Sequence, residues 1–314
     1  MSLKNDLNRI LIENALRLNL KSFDSDEKRC IRRLIDTGAS LSKNHTERGV
    51  FSGISDLYAN GDSLYYDATS QLFKSVDRDK LITFGVNFGY NTFNISAKTL
   101  SDFAKTKSKF IPWIADMDVT TANELKYRSD TFGNLLKHYT AYGINAFILR
   151  FDEGITDEAY FNILSSVREY KYTNFILFLS NDVLSKDLIN EMSSLSNLLT
   201  VLPFGSSNYI KQLEMVESAG ILNASAYKFS NDFSNEFKSL EIFEKISGNR
   251  CPVAIVETNS DLSPDDVRLF NSGISTLREN LTSPVFIINL NADIQAINKK
   301  IIGKEVGTHI NVKA

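Results

Sequence analysis

Two cysteines, Cys30 and Cys251, and three histidines are all that the 314-residue chain offers to soft metals and redox chemistry. Two thiols so far apart exclude a disulfide framework and a thiolate metal cage. The histidines, His45, His138 and His309, fall at no predicted strand end, which disfavours an imidazole-ligated metal and a Ser-His-Asp or Cys-His nucleophile. Proline is scarce, with five residues, and tryptophan occurs once, as Trp113. No stretch of eighteen apolar residues is present, so no membrane-spanning helix is predicted. Excess charge is missing too: 35 basic against 38 acidic residues leave a net charge of -3, with no electrostatic reason for a nucleic-acid partner. Charges interrupt the first apolar stretch, MSLKNDLNRILIENALRLNL, and no small-residue cleavage site follows, so no secretion signal is expected. What remains is a globular balance of 43% hydrophobic and 23% charged residues, expected of a soluble cytoplasmic protein.

Eight short apolar runs recur at roughly 30-residue spacing, the length of a strand-plus-helix unit. They are LITFGVNF (81–88), FIPWIADM (110–117), NAFILRF (145–151), NFILFLS (174–180), LLTVLPF (198–204), ILNASAY (221–227), PVAIVE (252–257) and PVFIINL (284–290). Most are apolar almost throughout, as parallel strands covered on both faces must be. Between them lie helical periods: Phe161, Leu164 and Val167 in one, Ile210, Leu213 and Val216 in another, the latter stopped by Gly220. A third opens on Ser263 as N-cap with Pro264 in the first turn. Eight alternating units predict an α/β fold, a parallel (β/α)8 TIM-type barrel over residues 79–314. Residues 1–78, with amphipathic segments at Leu7–Leu18, Glu27–Ala39 and Ser63–Val76, predict a helical N-terminal cap packed on it.

Barrel enzymes carry their reacting groups at the C-terminal strand ends. That rule selects Asn87, Tyr90 and Asn91 after run one, Asp116 and Asp118 after run two, and Arg150, Asp152 and Glu153 after run three. It adds Asn181 and Asp182 after run four, the turn from Phe204 through Gly205 and Ser206 after run five, Tyr227 and Lys228 after run six, and Glu257 after run seven. Polar strand ends also serve solubility, so the combinations matter more than any single position. Lys228 at a barrel strand end is placed for imine formation, with Tyr227 or Asp182 moving protons and Arg150 holding a substrate carboxylate. Asp182 and Glu257 occupy the acid/base and nucleophile places of retaining glycosidases on this fold, though with an aspartate where glutamate is usual. Gly205-Ser206-Ser207 at a helix start offers amides to an anion or serves as an ordinary cap. A hard cation held by Asp116, Asp118, Asp152 and Glu257 is the remaining metal option; no metal and no cofactor is predicted.

Two segments carry a family resemblance. NAFILRFDEGITDEAYFNILSSV, with Asp152, Glu153 and Gly154 at its turn, is similar to the strand, Gly-Gly-Glu-type turn and helix of the radical S-adenosylmethionine enzymes. NFILFLSNDVLSKDLINEM, with Ser180, Asn181 and Asp182, resembles the strand of that family that ends in a Thr-Asn-Gly-type turn. The resemblance covers residues 118–202 and departs from the family in lacking its three-cysteine cluster motif. It implies a cluster-free relative without radical chemistry. Three functions are therefore expected in competition: a metal-independent lyase or aldolase acting on a small carbonyl or carboxylate compound, a catalytically silent binding or accessory barrel, and a glycosidase-like barrel. The expected partner is a small molecule at the C-terminal rim, or for the silent barrel a peptide, sugar or partner protein, with contacts predicted from Asp116, Arg150, Asp152, Asn181, Gly205 and Ser206. Homo-oligomerisation is left open.

Overall fold

The structure is a computed structural model that describes residues 3–42, 44–121, 124–125, 129–180, 183–229, 251–258 and 262–309. Its centre is a seven-stranded, all-parallel sheet curled into a half-barrel and surrounded by helices. The strands are β1 (Ala115–Asp118), β2 (Ala146–Arg150), β3 (Asn174–Phe178), β4 (Leu198–Pro203), β5 (Asn223–Phe229), β6 (Val253–Thr258) and β7 (Phe286–Asn289). Each pairs with the next in chain order, in register without slippage. Seven of the eight apolar runs thus form strands.

The eighth expectation fails at the start of the series. Residues 81–88 form no strand: α5 (Arg78–Val86) runs directly into a π-helix (Asn87–Ser96) and then α6 (Ala97–Lys107). The cause is local. The Asp77 carboxylate accepts from the amides of Asp79 and Lys80 at 2.9 and 3.1 Å, which fixes a helix start ahead of the run. Ile82 and Val86, four residues apart, then bury one helical face. The helical layer is completed by α1 (Leu3–Leu20), α2 (Glu27–Leu41), α3 (His45–Leu57) and α4 (Leu64–Ser75). No closed eight-stranded barrel is formed among the described residues. Beyond β1, the edge is met among the described residues by Thr308, whose carbonyl accepts the Asp116 amide at 2.9 Å, and by a bridge to His309.

The helical layer seals the N-terminal end of the sheet. Asn174 Nδ2, at the start of β3, donates to the Phe84 carbonyl at 3.0 Å, and the Asp77 amide donates to Gly220, just before β5. From the π-helix, Asn87 donates to the Lys171 carbonyl at 3.0 Å and Asn91 to Tyr172 at 2.8 Å; Arg9 of α1 donates to Asn87 Oδ1 at 3.1 Å. Asn87, Tyr90 and Asn91 therefore lie at the base of the half-barrel, opposite the rim where the sequence placed them. Asn87 and Asn91 are fully buried. Replacing Asn91 with leucine is expected to cost about 2 kcal/mol in urea unfolding, because Asn87 Oδ1 and the Tyr172 carbonyl lose a buried donor.

The two faces of the sheet bury different layers. Phe147, Leu149, Phe175, Leu177 and Leu202 point outward against α7 (Ser129–Ala141), α8 (Asp157–Glu169), α9 (Lys186–Ser193) and α10 (Tyr209–Ser218). Ala254, Val256 and Ile287 pack outward on α11 (Pro264–Glu279), which is N-capped by Ser263 and begins with Pro264. Ile148, Ile176, Leu199, Ala224, Val253 and Ile255 point into the concave side, where Trp113, Leu100 and α12 (Leu290–Ile302) fill the base. This double coverage explains why the strands read as unbroken apolar runs. No helix among the described residues is long and apolar enough to cross a membrane.

Candidate functional site at the concave rim

Side-chain parity decides what reaches the rim. On β2 the concave row is Ala146, Ile148 and Arg150, so Arg150 ends that row at the C-terminal edge. Asp116 of β1 registers with Ile148 and shares its face, and Glu257 of β6 continues the concave row of Val253 and Ile255. These three side chains meet. Arg150 Nε and Nη2 donate to the two Asp116 oxygens at 2.9 and 3.1 Å, and Nη1 and Nη2 donate to the two Glu257 oxygens at 3.3 and 2.9 Å.

The contact between β2 and β6 is itself a measure of curvature. In a flat sheet, four strand steps of about 4.8 Å would hold those strands roughly 19 Å apart. One guanidinium bridges them here, so the rim is narrow. The Phe178 ring, in register with Arg150 on β3, lies 4.4 Å below the guanidinium and adds a cation–π contact. The triad is half-sheltered: 26% of the Arg150 side chain, 17% of Asp116 and 12% of Glu257 remain exposed. Burial alone would push the Arg150 pKa down. The hydrogen bond and charge of Asp116, with those of Glu257, outweigh it and hold the guanidinium above its ordinary value, permanently charged.

Lys228 stands on the same face. On β5, Ala224, Ala226 and Lys228 point to the concave side, and Lys228 registers with Glu257. It is exposed and forms no ion pair among the described residues. Tyr227 has the opposite parity: it is buried on the outer face beside α11, its ring 6.2 Å from Phe204. The expected partnership of Tyr227 with Lys228 is therefore corrected, since the sheet itself separates the two groups.

Arg150 also departs from its predicted use. Four of its five N–H bonds are already directed at Asp116 and Glu257, leaving no free fork for a substrate carboxylate. Asp152 follows β2, its amide donating to Thr120 Oγ1 at 2.7 Å. Gly205 turns the chain after β4 with φ +83°, and an added Cβ there would meet no atom within 4 Å. The Ser206 hydroxyl oxygen, at the entry to α10, is buried and has no hydrogen-bond partner among the described residues. Asn181 and Asp182 lie outside the described residues, and with them the acid/base half of the glycosidase expectation.

Two participants were not selected from the sequence: Phe178 as the floor under Arg150, and His309, whose Nε2 stands 3.4 Å from Asp118 Oδ2. Aligning the strand ends side by side would have shown Phe178 next to Arg150; nothing in the sequence brings His309 to β1. Among the described residues no three His, Cys, Asp or Glu side chains are grouped to hold a metal. The cysteines are remote from the rim. Cys30 is buried in α2, and Cys251 lies before β6, where burial pushes its thiol pKa up.

No family model matches the sequence, and no curated protein is similar to it. Among solved structures, the chain is similar to SuiB of Streptococcus suis bound to S-adenosylmethionine, with 12% identity over 68% of this chain and 55% of that one, at a TM-score of 0.48. The chain thus spans about half the length of SuiB. It is also similar to 3-dehydroquinate dehydratase of Geobacillus kaustophilus HTA426, with 12% identity over 65% of this chain and 84% of that one, at a TM-score of 0.45.

Proposed function

We propose that the concave rim binds a small molecule that donates hydrogen bonds, through ammonium or hydroxyl groups, and that the chain works as a binding barrel. The observation that carries this reading is the Asp116–Arg150–Glu257 triad. It fixes two carboxylates on opposite sides of the rim, with each oxygen engaged once by Arg150. A carboxylate oxygen accepts more than one hydrogen bond, so both acids keep acceptor capacity for a ligand. Within the triad two carboxylates stand against one guanidinium, and Lys228 on the same face offsets the remaining charge, so the choice of a hydrogen-bond donor over an anion rests on the remaining acceptor capacity of Asp116 and Glu257. The placement of Arg150 supports this choice: it acts on the carboxylates and not on a ligand.

The test is a calorimetric titration with putrescine, glycerol, pyruvate and inorganic phosphate. Putrescine or glycerol is expected to bind and the two anions are not. Glu257→Gln should weaken the bound donor about tenfold, the loss of one charge-assisted hydrogen bond. Preferential binding of pyruvate or phosphate would overturn the reading.

A second reading retains chemistry at Lys228. Its amine shares the concave face with Glu257 by register, so a carbonyl compound held at the rim would meet an amine beside a carboxylate. Condensation of that amine with the carbonyl expels water and gives an imine, with Glu257 placed to exchange a proton. Borohydride reduction in the presence of pyruvate should then add a stable adduct at Lys228, seen as a mass increase. An unmodified Lys228 would remove this reading and leave the first untouched.

A further inference from the structure

Trp113, Leu100 and α12 fill only part of the base of the half-barrel. Closed eight-stranded barrels pack their interior with layers of side chains. Here α4 and α5 of the helical layer lie against the base of the sheet, with Leu72, Leu81 and Phe84 packed toward Leu199 and Val253. A cavity of about 750 Å³ remains between them, walled by Leu81, Phe84 and Gly85 of α5 on one side and by Leu199, Val253 and Ile288 of the sheet on the other. Its size falls within the range of small-molecule sites, roughly 300–1,000 Å³.

The polar groups in its wall are already matched to one another. Tyr58 Oη and Thr69 Oγ1 share a hydrogen bond at 2.5 Å. The Arg278 guanidinium donates to Asp293 Oδ1 at 3.0 Å and to the Ile287 carbonyl at 2.9 Å, and the Tyr65 hydroxyl donates to the Arg278 carbonyl. The rest of the lining is apolar, so a hydrocarbon can meet it without displacing any of these hydrogen bonds. An apolar void is occupied readily when it is large enough: a cavity of roughly 150 Å³ takes up benzene.

A second cavity of about 320 Å³ among α1, α2, α3 and α5 shares Leu16, Leu34 and Gly85 with the first. Gly85 stands in both walls, and a Cβ added to it would meet no atom within 4 Å. The two cavities thus adjoin along one stretch of wall at that bare backbone. We infer that it is a binding site for a neutral, chain-like apolar molecule, an aliphatic or isoprenoid chain without a charged head group. This site is separate from the rim and does not depend on the function proposed for it.

The full chain is titrated with N-phenyl-1-naphthylamine, a neutral probe that fluoresces in apolar surroundings, and the bound probe is displaced with 1-dodecanol. Saturable binding at one site is expected, with displacement by the alcohol. Gly85→Leu, which fills the shared wall, should raise the dissociation constant at least tenfold. Leu11→Glu, in the exposed apolar stripe of α1, should leave it unchanged. Leu81→Trp gives an independent readout, because an indole in the wall should transfer excitation energy to bound probe beyond the level seen with Trp113 alone. Non-saturable binding, loss of binding in Leu11→Glu with retention in Gly85→Leu, or no added energy transfer in Leu81→Trp would each overturn the site.

Discussion

Replacing Arg150 with methionine is expected to lower the free energy of unfolding by about 3–4 kcal/mol, read as a lower urea midpoint at unchanged slope. The side chain is unusual for a strand-end residue because it ties strands that are not neighbours, linking Asp116 of β1 to Glu257 of β6. Its removal leaves Asp116 and Glu257, both more than four-fifths buried, facing each other without a counter-charge. Breaking a sheltered pair by deleting one partner is costly because the survivor stays desolvated. The partial exposure of the triad keeps the expected loss at the lower end of that range. Adding Asp116→Asn and Glu257→Gln to Arg150→Met should recover most of it, since two amides can hydrogen-bond each other without a buried charge. Arg150→Lys should recover less, because an ammonium cannot engage both carboxylates in two-pronged fashion. A loss below about 1 kcal/mol for Arg150→Met would show that the carboxylates retain their water and that the rim does not rely on the triad.

Stability is expected to fall by about 2 kcal/mol between pH 10 and pH 12 through Tyr58 alone. Burial pushes this phenol up to about 12, opposed by its hydrogen bond to Thr69. The folded chain keeps the proton to that pH, whereas the unfolded chain releases it near 10. Above pH 10 the unfolded state therefore binds fewer protons, and rising pH favours unfolding; below pH 10 the contribution is intact. Tyr209, buried under Ser225, is raised further and steepens the same limb. Urea unfolding at pH 9 and pH 11.5 checks this. Tyr58→Phe should lose stability at pH 9, where Thr69 keeps its bond to the Tyr65 carbonyl but no longer accepts from Tyr58, yet fall less steeply toward pH 11.5. Equal slopes for the two proteins would mean that the Tyr58 ring is open to solvent.

What could be read from the sequence follows from what burial does to composition. Strands covered on both faces must be apolar throughout, so β2 to β7 announce themselves. The run at 81–88 is equally apolar but helical, because a short apolar stretch looks the same on a buried strand and on a buried helix. The distinguishing signal was outside it, in Asp77 two residues before Asp79. Asp116, Arg150 and Glu257 were legible as strand ends, and their type suggested a polar rim. Their mutual pairing was not, since it depends on strand register and on curvature that brings β2 to β6. The opposite faces of Tyr227 and Lys228 follow from strand alternation, but the parity that puts Lys228 inside is set by neighbours such as Ser225, whose hydroxyl meets Tyr209.

The order of the strands has a consequence for how the chain is made. Each strand from β2 onward finds its partner in the strand synthesised just before it, so the sheet can grow outward from β1 as the chain leaves the ribosome. The far side of β1 is different: its amide at Asp116 waits for the carbonyl of Thr308, nearly two hundred residues later. Throughout elongation that edge is an open template for stray strands, a hazard native proteins usually mask. The acidic pair Asp116 and Asp118 at the end of β1 gives it a like-charged margin during that interval, before Arg150 and His309 are both in place to neutralise it.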